Sequence, residues 1–209
     1  MVLQDPVFFS DFRRYVEATP LCRAEFERAK RKADTNNTFV AEAIRFFVRN
    51  RQSRQGLGRD FCTPTSRTRR GMNENVSAWL SAVDGLPEVH ARLRRVEIRN
   101  QDACDLIREL DSPDTLLYVD PPYLHETRQS VGQYRHEMSG KDHCRLLHTL
   151  SKIQGKFLLS GYPSHTYLQF AAKYRWWDRE FQIDNKASGA KIKPIKTECV
   201  WANYDIGQA

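Results

Sequence analysis

The sequence predicts an α/β fold in which helices pack on a partly parallel sheet. Two observations carry this prediction. From residue 95 onward, short apolar runs alternate with amphipathic stretches of helical period. One run, Leu116–Val119, has the length of a buried strand and ends directly in Asp120-Pro121-Pro122-Tyr123. Strand–helix alternation followed by two further apolar runs near the C-terminus is typical of a doubly wound sheet that closes with a strand pair.

The first part of the chain is predicted to be helical. Residues 7–32 have helical spacing with a break at Thr19-Pro20, and Thr38–Gln52 forms a second amphipathic pattern. Ser53–Asn75 contains glycines, a proline and several arginines, so it predicts a loop. Residues 76–93 are predicted to be mainly helical, with a break at Asp84-Gly85-Leu86-Pro87.

The second part supplies the sheet. Its predicted strands are Val96–Arg99, Leu116–Val119 and Lys156–Ser160, followed by an antiparallel pair formed by Trp176–Ile183 and Thr197–Tyr204. Helices are predicted over Asp102–Leu110 and Gly140–Ile153. The expected organisation is therefore a basic, mainly helical region over residues 1–93 and a sheet-containing domain over residues 94–209.

Charge separates the same two regions. The chain of 209 residues has a formal net charge of +7. Residues 1–75 hold 15 Lys/Arg against 9 Asp/Glu, whereas residues 76–209 hold 18 against 17. This excess in the first part favours a surface for a polyanion, although a solvated helical face explains the charge equally well.

The cysteines and the hydropathy pattern narrow the class of protein. The five cysteines are scattered and include no Cys-x-x-Cys pair, which predicts reduced thiols and neither a zinc site nor a disulfide framework. No stretch approaches the ~20 apolar residues of a membrane span, and the N-terminus does not resemble a signal peptide. We therefore expect a cytoplasmic protein without a membrane or metal requirement.

The tetrapeptide Asp120-Pro121-Pro122-Tyr123 indicates chemistry at the carboxyl end of its strand, where ligands bind in open α/β sheets. The prolines have a fixed φ and no N–H, and they push the residues before them into extended geometry. The Asp120 carboxylate and the Pro121 carbonyl are thereby presented as two acceptors. Such a pair suits an exocyclic amine, while Tyr123 offers a flat face for a planar ring, worth ~1–3 kcal/mol per stacked base.

An adenine amine fits these acceptors. Its nitrogen is a weak nucleophile because the lone pair is delocalised into the ring. Acceptors that hold its hydrogens favour pyramidalisation and aim the lone pair at an electrophile such as a methyl sulfonium. Because the amine is buried inside a duplex, the base must first be flipped out of the helix. The alternative is that this four-residue motif is a turn at the end of a strand that arose by chance and has no catalytic role.

Arginines in the predicted loop are candidate phosphate contacts, since guanidinium groups on a glycine-containing loop suit a nucleic-acid backbone. These predicted DNA-binding residues are Arg54, Arg59, Arg67, Arg69 and Arg70. His125 and Glu126 are further candidates for the pocket after Tyr123. A basic loop with Lys186, Lys191, Lys193 and Lys196 could either follow a DNA backbone or keep a hairpin soluble.

Five segments in order resemble the Dam-like (D12 class) DNA adenine-N6 methyltransferases, in a phage-type version, from about residue 1 to residue 204. The segments are Asn100–Ala103, the strand into Asp120–Tyr123, Glu137–Leu147, Leu159–Tyr162 and Thr197–Tyr204. The resemblance implies a class I S-adenosylmethionine-dependent methyltransferase (Rossmann-like) sheet with a helical DNA-recognition lobe. It implies S-adenosyl-L-methionine as cofactor and double-stranded DNA as partner.

The resemblance also assigns roles to residues. It places the contact to the target amine on Asp120, with stacking on Tyr123, and the predicted catalytic residues are the whole tetrapeptide Asp120, Pro121, Pro122 and Tyr123. It places cofactor contacts on Asp102 and Asp120. The target-recognition region falls over roughly Cys22–Asn75.

One family motif has no counterpart in the sequence. The family places a Phe-x-Gly-x-Gly cofactor loop, preceded by a strand, ahead of the recognition region. The Gly-x-Gly at Gly56-Leu57-Gly58 follows a polar, arginine-rich segment and does not match. We therefore expect an N-terminally incomplete sheet in which Leu116–Val119 is an exposed edge.

Three functions follow as alternatives. The first is a site-specific DNA adenine-N6 methyltransferase. The second is a non-catalytic DNA-binding remnant, or one half of a split methyltransferase that requires a separate N-terminal fragment. The third is methylation of another amine, either in RNA or on a protein glutamine. The aspartate at position 120 and the arginine-rich loop argue against the glutamine alternative.

Overall fold

The computed structural model describes residues 2–31, 38–63, 65–124, 137–184 and 195–207. The chain forms two compact units, Met1–Arg99 and Asn100–Ala209. The first is helical apart from a small hairpin, and the second contains the main sheet.

The first unit begins with three helices, α1 (Pro6–Ala18), α2 (Arg23–Lys30) and α3 (Phe39–Arg51). Helix α1 begins where the Asp5 carboxylate accepts hydrogen bonds from two backbone amides of the first turn and a proline occupies the first helical position. Helix α3 is capped in the same way by the Thr38 hydroxyl. The predicted helices on both sides of Thr19-Pro20 and the helix after Thr38 are confirmed.

The corner at Thr19-Pro20 is held from two distant parts of the chain. The buried side chain of Gln52 donates to the Pro20 carbonyl (2.9 Å) and accepts from the Cys22 amide (3.2 Å). The Trp79 indole donates to the Thr19 carbonyl at 3.0 Å. These bonds satisfy backbone groups that the break leaves without helical partners.

Helices α4 (Glu74–Asp84) and α5 (Leu86–Leu93) complete the first unit, and the predicted break between them is reduced to Gly85. The prediction of a loop over Ser53–Asn75 is wrong in part. This stretch contains a 3-10 turn at Arg54–Gly56 and a hairpin of β1 (Thr68–Arg69) and β2 (Met72–Asn73). The hairpin turn is formed by Arg70 and Gly71, both with positive φ. A two-residue turn with two positive φ angles has a backbone twist that matches the right-handed twist of the strands it joins.

The second unit contains α6 (Ala103–Leu110), β3 (Leu116–Val119), α7 (Gly140–Leu150), β4 (Lys156–Gly161), α8 (His165–Tyr174), β5 (Trp177–Asp184) and β6 (Ile195–Ala202). The prediction of a strand at Val96–Arg99 is wrong. These residues belong to neither a helix nor a strand, and Ile98 is exposed. A short apolar run becomes a strand only when a neighbouring strand supplies hydrogen bonds, and none lies beside it among the described residues.

The sheet has four described strands in the order β3-β4-β6-β5. Strands β3 and β4 are parallel, with Val119 opposite Leu159, whereas β6 is antiparallel to both of its neighbours. The antiparallel closing pair is therefore confirmed. Strand β3 lies at the edge of the sheet, as predicted, so one side of its backbone has no partner strand among the residues that the structure describes.

The two faces of this sheet differ. Alternate residues, including Leu117, Phe157, Leu159 and Trp201, pack with α6, α7 and α8 in one apolar core. The intervening residues point to the other face, where Leu116 is 60% exposed and Tyr118 is 68% exposed. The described part of the unit thus has helices on one face only, which differs from the doubly wound arrangement that the strand–helix alternation predicts.

Some predictions cannot be compared with the structure. His125, Glu126, Lys186, Lys191 and Lys193 lie outside the described residues, whereas Lys196 of the predicted basic loop lies on β6. Within the described ranges, no helix combines the length and apolar character needed to cross a bilayer.

Candidate active site at the end of strand β3

The tetrapeptide follows β3 at its carboxyl end. Asp120 is exposed, Pro121 is buried, and Pro122 and Tyr123 are partly buried. Because β4 runs parallel to β3, the end of β4 reaches the same edge of the sheet, with Ser160 and Gly161 directly beyond Leu159. The sequence alternation therefore brings two consecutive strand ends together, as ligand sites in open sheets require.

Ser160 orients Asp120. The Ser160 hydroxyl lies 2.9 Å from Asp120 Oδ1 and 3.3 Å from the Val119 carbonyl oxygen, and the residue is only 3% exposed. Asp120 Oδ2 has no hydrogen-bond partner within the described ranges. One carboxylate oxygen is therefore fixed by the protein, while the other remains available as an acceptor.

Tyr123 is held from the interior of the sheet. Its hydroxyl donates to Oε1 of Glu198 on β6, and its ring lies edge-to-face with Tyr162, with centroids 4.8 Å apart at 71°. Burial is the main cause that raises the pKa of Tyr123, and the bond to Glu198 raises it further. The phenol is therefore a neutral donor throughout the physiological pH range.

A cavity of about 530 Å³ lies beside these residues, within the range of small-molecule sites. Its walls are mainly apolar and come from α6, β3 and α7, including Ile107, Leu117 and Leu146. Asp102 and Asp120 both line it. The structure thus brings together the two acids that the sequence assigns to cofactor binding, although 18 residues separate them along the chain.

Asp102 is held differently from Asp120. It caps helix α6 by accepting from the Asp105 amide at 3.1 Å, and it forms an ion pair with Arg145 of α7. The hydrogen bond from Arg145 is the first cause, and the Asp105 amide the second, that hold the pKa of Asp102 below its ordinary value. Asp102 is therefore ionised, and it presents its charge together with a counter-charge.

The predicted DNA-binding arginines form two groups in the first unit. Arg54 and Arg59 line a cleft of about 370 Å³ together with Arg23 and Lys30. Arg54 donates to the Thr63 hydroxyl, while the Lys30 ammonium donates to the Arg59 carbonyl at 2.9 Å. The cleft also contains Glu27 and Asp60, which reduce its positive charge.

The second group is on the hairpin. Arg67, Arg69 and Arg70 are all exposed, at or beside β1 and its turn. Arg70 donates to the Ser81 hydroxyl of α4 at 3.0 Å. Three guanidinium groups are thereby concentrated on a small two-stranded projection.

Sequence reasoning missed several residues of these sites. Arg145 and Glu198 gave no motif of their own, and Arg23 and Lys30 have the pattern of an ordinary helix surface. Phe61, which lies between the two arginine groups along the chain, packs its ring against Phe26 with Arg23 over it. A signal existed for Ser160, which ends the predicted strand after the tetrapeptide, and a weaker one for Arg145 and Glu198, which lie in segments that resemble the family.

Comparison with known proteins agrees with this geometry. A search of curated proteins finds no match. The family model of the D12 class N6 adenine-specific DNA methyltransferases matches residues 7–188, which is most of the chain and includes the tetrapeptide and both arginine groups. The resemblance noted from the sequence is thereby confirmed, and the chain belongs to the D12 class of N6 adenine-specific DNA methyltransferases.

Proposed function

We propose that this chain transfers a methyl group from S-adenosyl-L-methionine to the N6 amine of an adenine flipped out of double-stranded DNA. The observation that carries the proposal is Asp120, which has one oxygen held by Ser160 and the other available beside the prolines. Membership of the family supports adenine methylation in general. The finer assignment depends on the cavity, the tetrapeptide and the arginines of this chain.

The cavity beside Asp120 suits the proposed cofactor. S-adenosyl-L-methionine combines a planar purine with cationic sulfonium and ammonium groups, and it supplies an electrophilic methyl group. Apolar walls with carboxylates at Asp102 and Asp120 fit such a molecule, because the walls accept the ring and the acids attract the cations. Asp102 and Asp120 are the residues that would hold it.

Asp120 and Pro121 would activate the amine. Asp120 Oδ2 and the Pro121 carbonyl oxygen are acceptors for its two N–H groups, and neither proline has an N–H that competes for them. Holding both hydrogens concentrates the lone pair on the nitrogen and directs it away from the acceptors. The new N–C bond would form as the S–C bond of the sulfonium breaks and leaves a neutral thioether. One amine proton must then leave, and Asp120 Oδ2 is the acceptor proposed to hold it.

Contacts to DNA are proposed for both arginine groups, with Arg67, Arg69 and Arg70 on the hairpin and Arg54 and Arg59 in the cleft. Guanidinium groups pair with phosphate oxygens in bidentate geometry and release condensed counterions. Arg23 and Lys30 extend the cleft group, since they line the same concave surface.

The direct test is methyl transfer from labelled S-adenosyl-L-methionine to adenine-containing duplexes, with Asp120→Ala and Asp120→Asn as variants. Transfer by the wild type that Asp120→Ala abolishes is expected. Analysis of the product for N6-methyladenine identifies the atom, and an RNA duplex of the same sequence tests the alternative substrate. Full activity of Asp120→Ala would refute the assignment of the tetrapeptide.

A second candidate is one half of a split methyltransferase, and a specific observation favours it. Strand β3 is an edge strand of the described sheet, and Leu116 and Tyr118 are exposed on the face without helices. An apolar edge of this kind pairs readily with another strand. Methyl transfer that appears only after addition of a separate fragment carrying Phe-x-Gly-x-Gly would support this candidate over the first.

A further inference from the structure

We propose that Glu198 is a positioning residue that fixes the ring of Tyr123, and that Tyr123 and Tyr162 form an aromatic corner that receives the target base. The inference rests on the proposed function and deepens it. It concerns residues from three separate segments: the end of β3, the end of β4 and strand β6.

Tyr123 needs such support because its own backbone supplies little. Residues 120–124 follow β3 and belong to no helix or strand, and prolines 121 and 122 have no N–H with which to join the sheet. Glu198, in contrast, lies on β6, which has described neighbours on both sides and pairs with β5 through Phe181 opposite Glu198. The hydrogen bond therefore attaches a ring on an irregular segment to an interior strand.

The second ring completes the corner. Tyr162 follows β4, and its ring stands at 71° to that of Tyr123 with the centroids 4.8 Å apart. Rings in this arrangement attract each other through the edge of one and the face of the other. A planar base that stacks on one ring therefore meets the second as a side wall, which fixes its position in two directions.

The carboxylate of Glu198 adds a charge to the geometry. Glu198 accepts from the Tyr123 phenol, and Asp120 is close enough to raise the pKa of the same phenol. Two acids thus lie near the Tyr123 phenol, one of them Asp120, the proposed contact to the amine. A glutamine at 198 keeps an acceptor for the hydroxyl but removes one of these charges, so it separates the role in orientation from the role in electrostatics.

The test uses the full chain and duplexes in which 2-aminopurine stands opposite an abasic site, so that the base is unpaired before binding. Wild-type protein is expected to quench its fluorescence by stacking. Tyr123→Ala should lose most of the quenching. Glu198→Ala should weaken binding of this duplex by about tenfold, within the range expected for a lost base stack. Glu198→Gln should remain within about twofold of the wild type in binding while lowering kcat for methyl transfer.

Glu180→Ala is the matched control, since Glu180 is an exposed glutamate on the adjacent strand β5. It should behave as wild type in both measurements, and thermal unfolding verifies that each variant folds. Quenching by Glu198→Ala equal to that of the wild type, or an absence of quenching by the wild type, would overturn the inference. The expected quenching pattern in a protein that transfers no methyl group would support the aromatic corner and contradict the proposed transferase.

Discussion

The two units of this protein differ in what their surfaces offer. The first is a closed helical core, with Phe12, Val16 and Trp79 buried, that carries arginines on a hairpin and around a cleft. The second has a sheet covered on one face and a cavity lined by four acids, Asp102, Asp120, Glu137 and Asp142, with Arg145 beside them. Under the proposed function, the difference gives charges of opposite sign separate roles, with cations placed to contact a polyanion and carboxylates placed to contact an amine and a cationic cofactor. Variants that affect one role and leave the other intact test this division.

The largest effect is expected for Asp120→Ala. Removal of a group that contacts the reacting amine should lower kcat by about 10³-fold, comparable to the loss of one preorganised transition-state contact. Affinity for duplex DNA, measured by fluorescence anisotropy, should change by less than about twofold, since the arginines lie in the other unit. A parallel loss of DNA affinity would break the division between the units.

The triple variant Arg67→Ala, Arg69→Ala, Arg70→Ala should do the opposite. If each arginine contacts a phosphate, the slope of log affinity against log salt should flatten by about 0.9 per lost contact. The chemical step at saturating DNA should be unchanged. Arg92, Arg94 and Arg95 are also exposed in the same unit, so their triple alanine variant controls for the loss of net charge. An equal change of slope in both variants would contradict a specific role for the hairpin.

Ser160→Ala tests how Asp120 is held. Loss of the 2.9 Å hydrogen bond leaves Asp120 Oδ1 without its described donor and the carboxylate free to rotate. A bond to a charged group is worth ~1.5–3 kcal/mol, so kcat should fall by about tenfold or more. The KM for cofactor and DNA should change little, because Ser160 is 3% exposed and its hydroxyl is directed at Asp120 and the Val119 carbonyl. Full activity would show that the free oxygen of Asp120 does not depend on Ser160.

The smallest effect is expected for Arg145→Ala, which releases Asp102. Cofactor affinity, measured by calorimetry, should increase by about two- to fivefold, because Arg145 no longer competes with the cofactor for Asp102. This range corresponds to the free energy of an exposed ion pair. The pKa of Asp102 is lowered in the folded protein, so the pair contributes stability above the unfolded pKa and loses it as pH falls through the folded pKa. The difference in unfolding free energy between wild type and variant should therefore shrink below about pH 4. Weaker cofactor binding by the variant would instead show that Arg145 itself binds the ligand.

Local signals in the sequence were sufficient for the strand into the tetrapeptide and for most of the helices, but helix α8 (His165–Tyr174) was not predicted. Helix ends lie at Thr19-Pro20, Asp5-Pro6 and Thr38. Capping side chains and prolines act on the backbone of the residues next to them, so the nearby sequence is enough to predict these helix ends. The strand predicted at Val96–Arg99 failed because a strand depends on a partner that can lie anywhere in the chain.

The candidate site was only partly predictable, because the contacts that support it also join distant parts of the chain. Asp120 follows from its motif, and Asp102 from the resemblance. The contacts that orient them depend on strand register and helix packing, since Ser160 lies 40 residues from Asp120, Arg145 lies 43 from Asp102 and Glu198 lies 75 from Tyr123. No periodicity in one strand specifies which residue of another strand will oppose it.

The edge of β3, which has no partner strand among the described residues, has a consequence for the amount of this protein in a cell. Natural edge strands are commonly protected by charged residues, proline or a bulge, and Leu116-Leu117-Tyr118-Val119 contains none of these. Chaperones and proteases act on exposed apolar strands, so whatever pairs with β3 would also protect the chain from degradation. We therefore expect the steady-state amount of this protein to depend on the supply of that pairing segment.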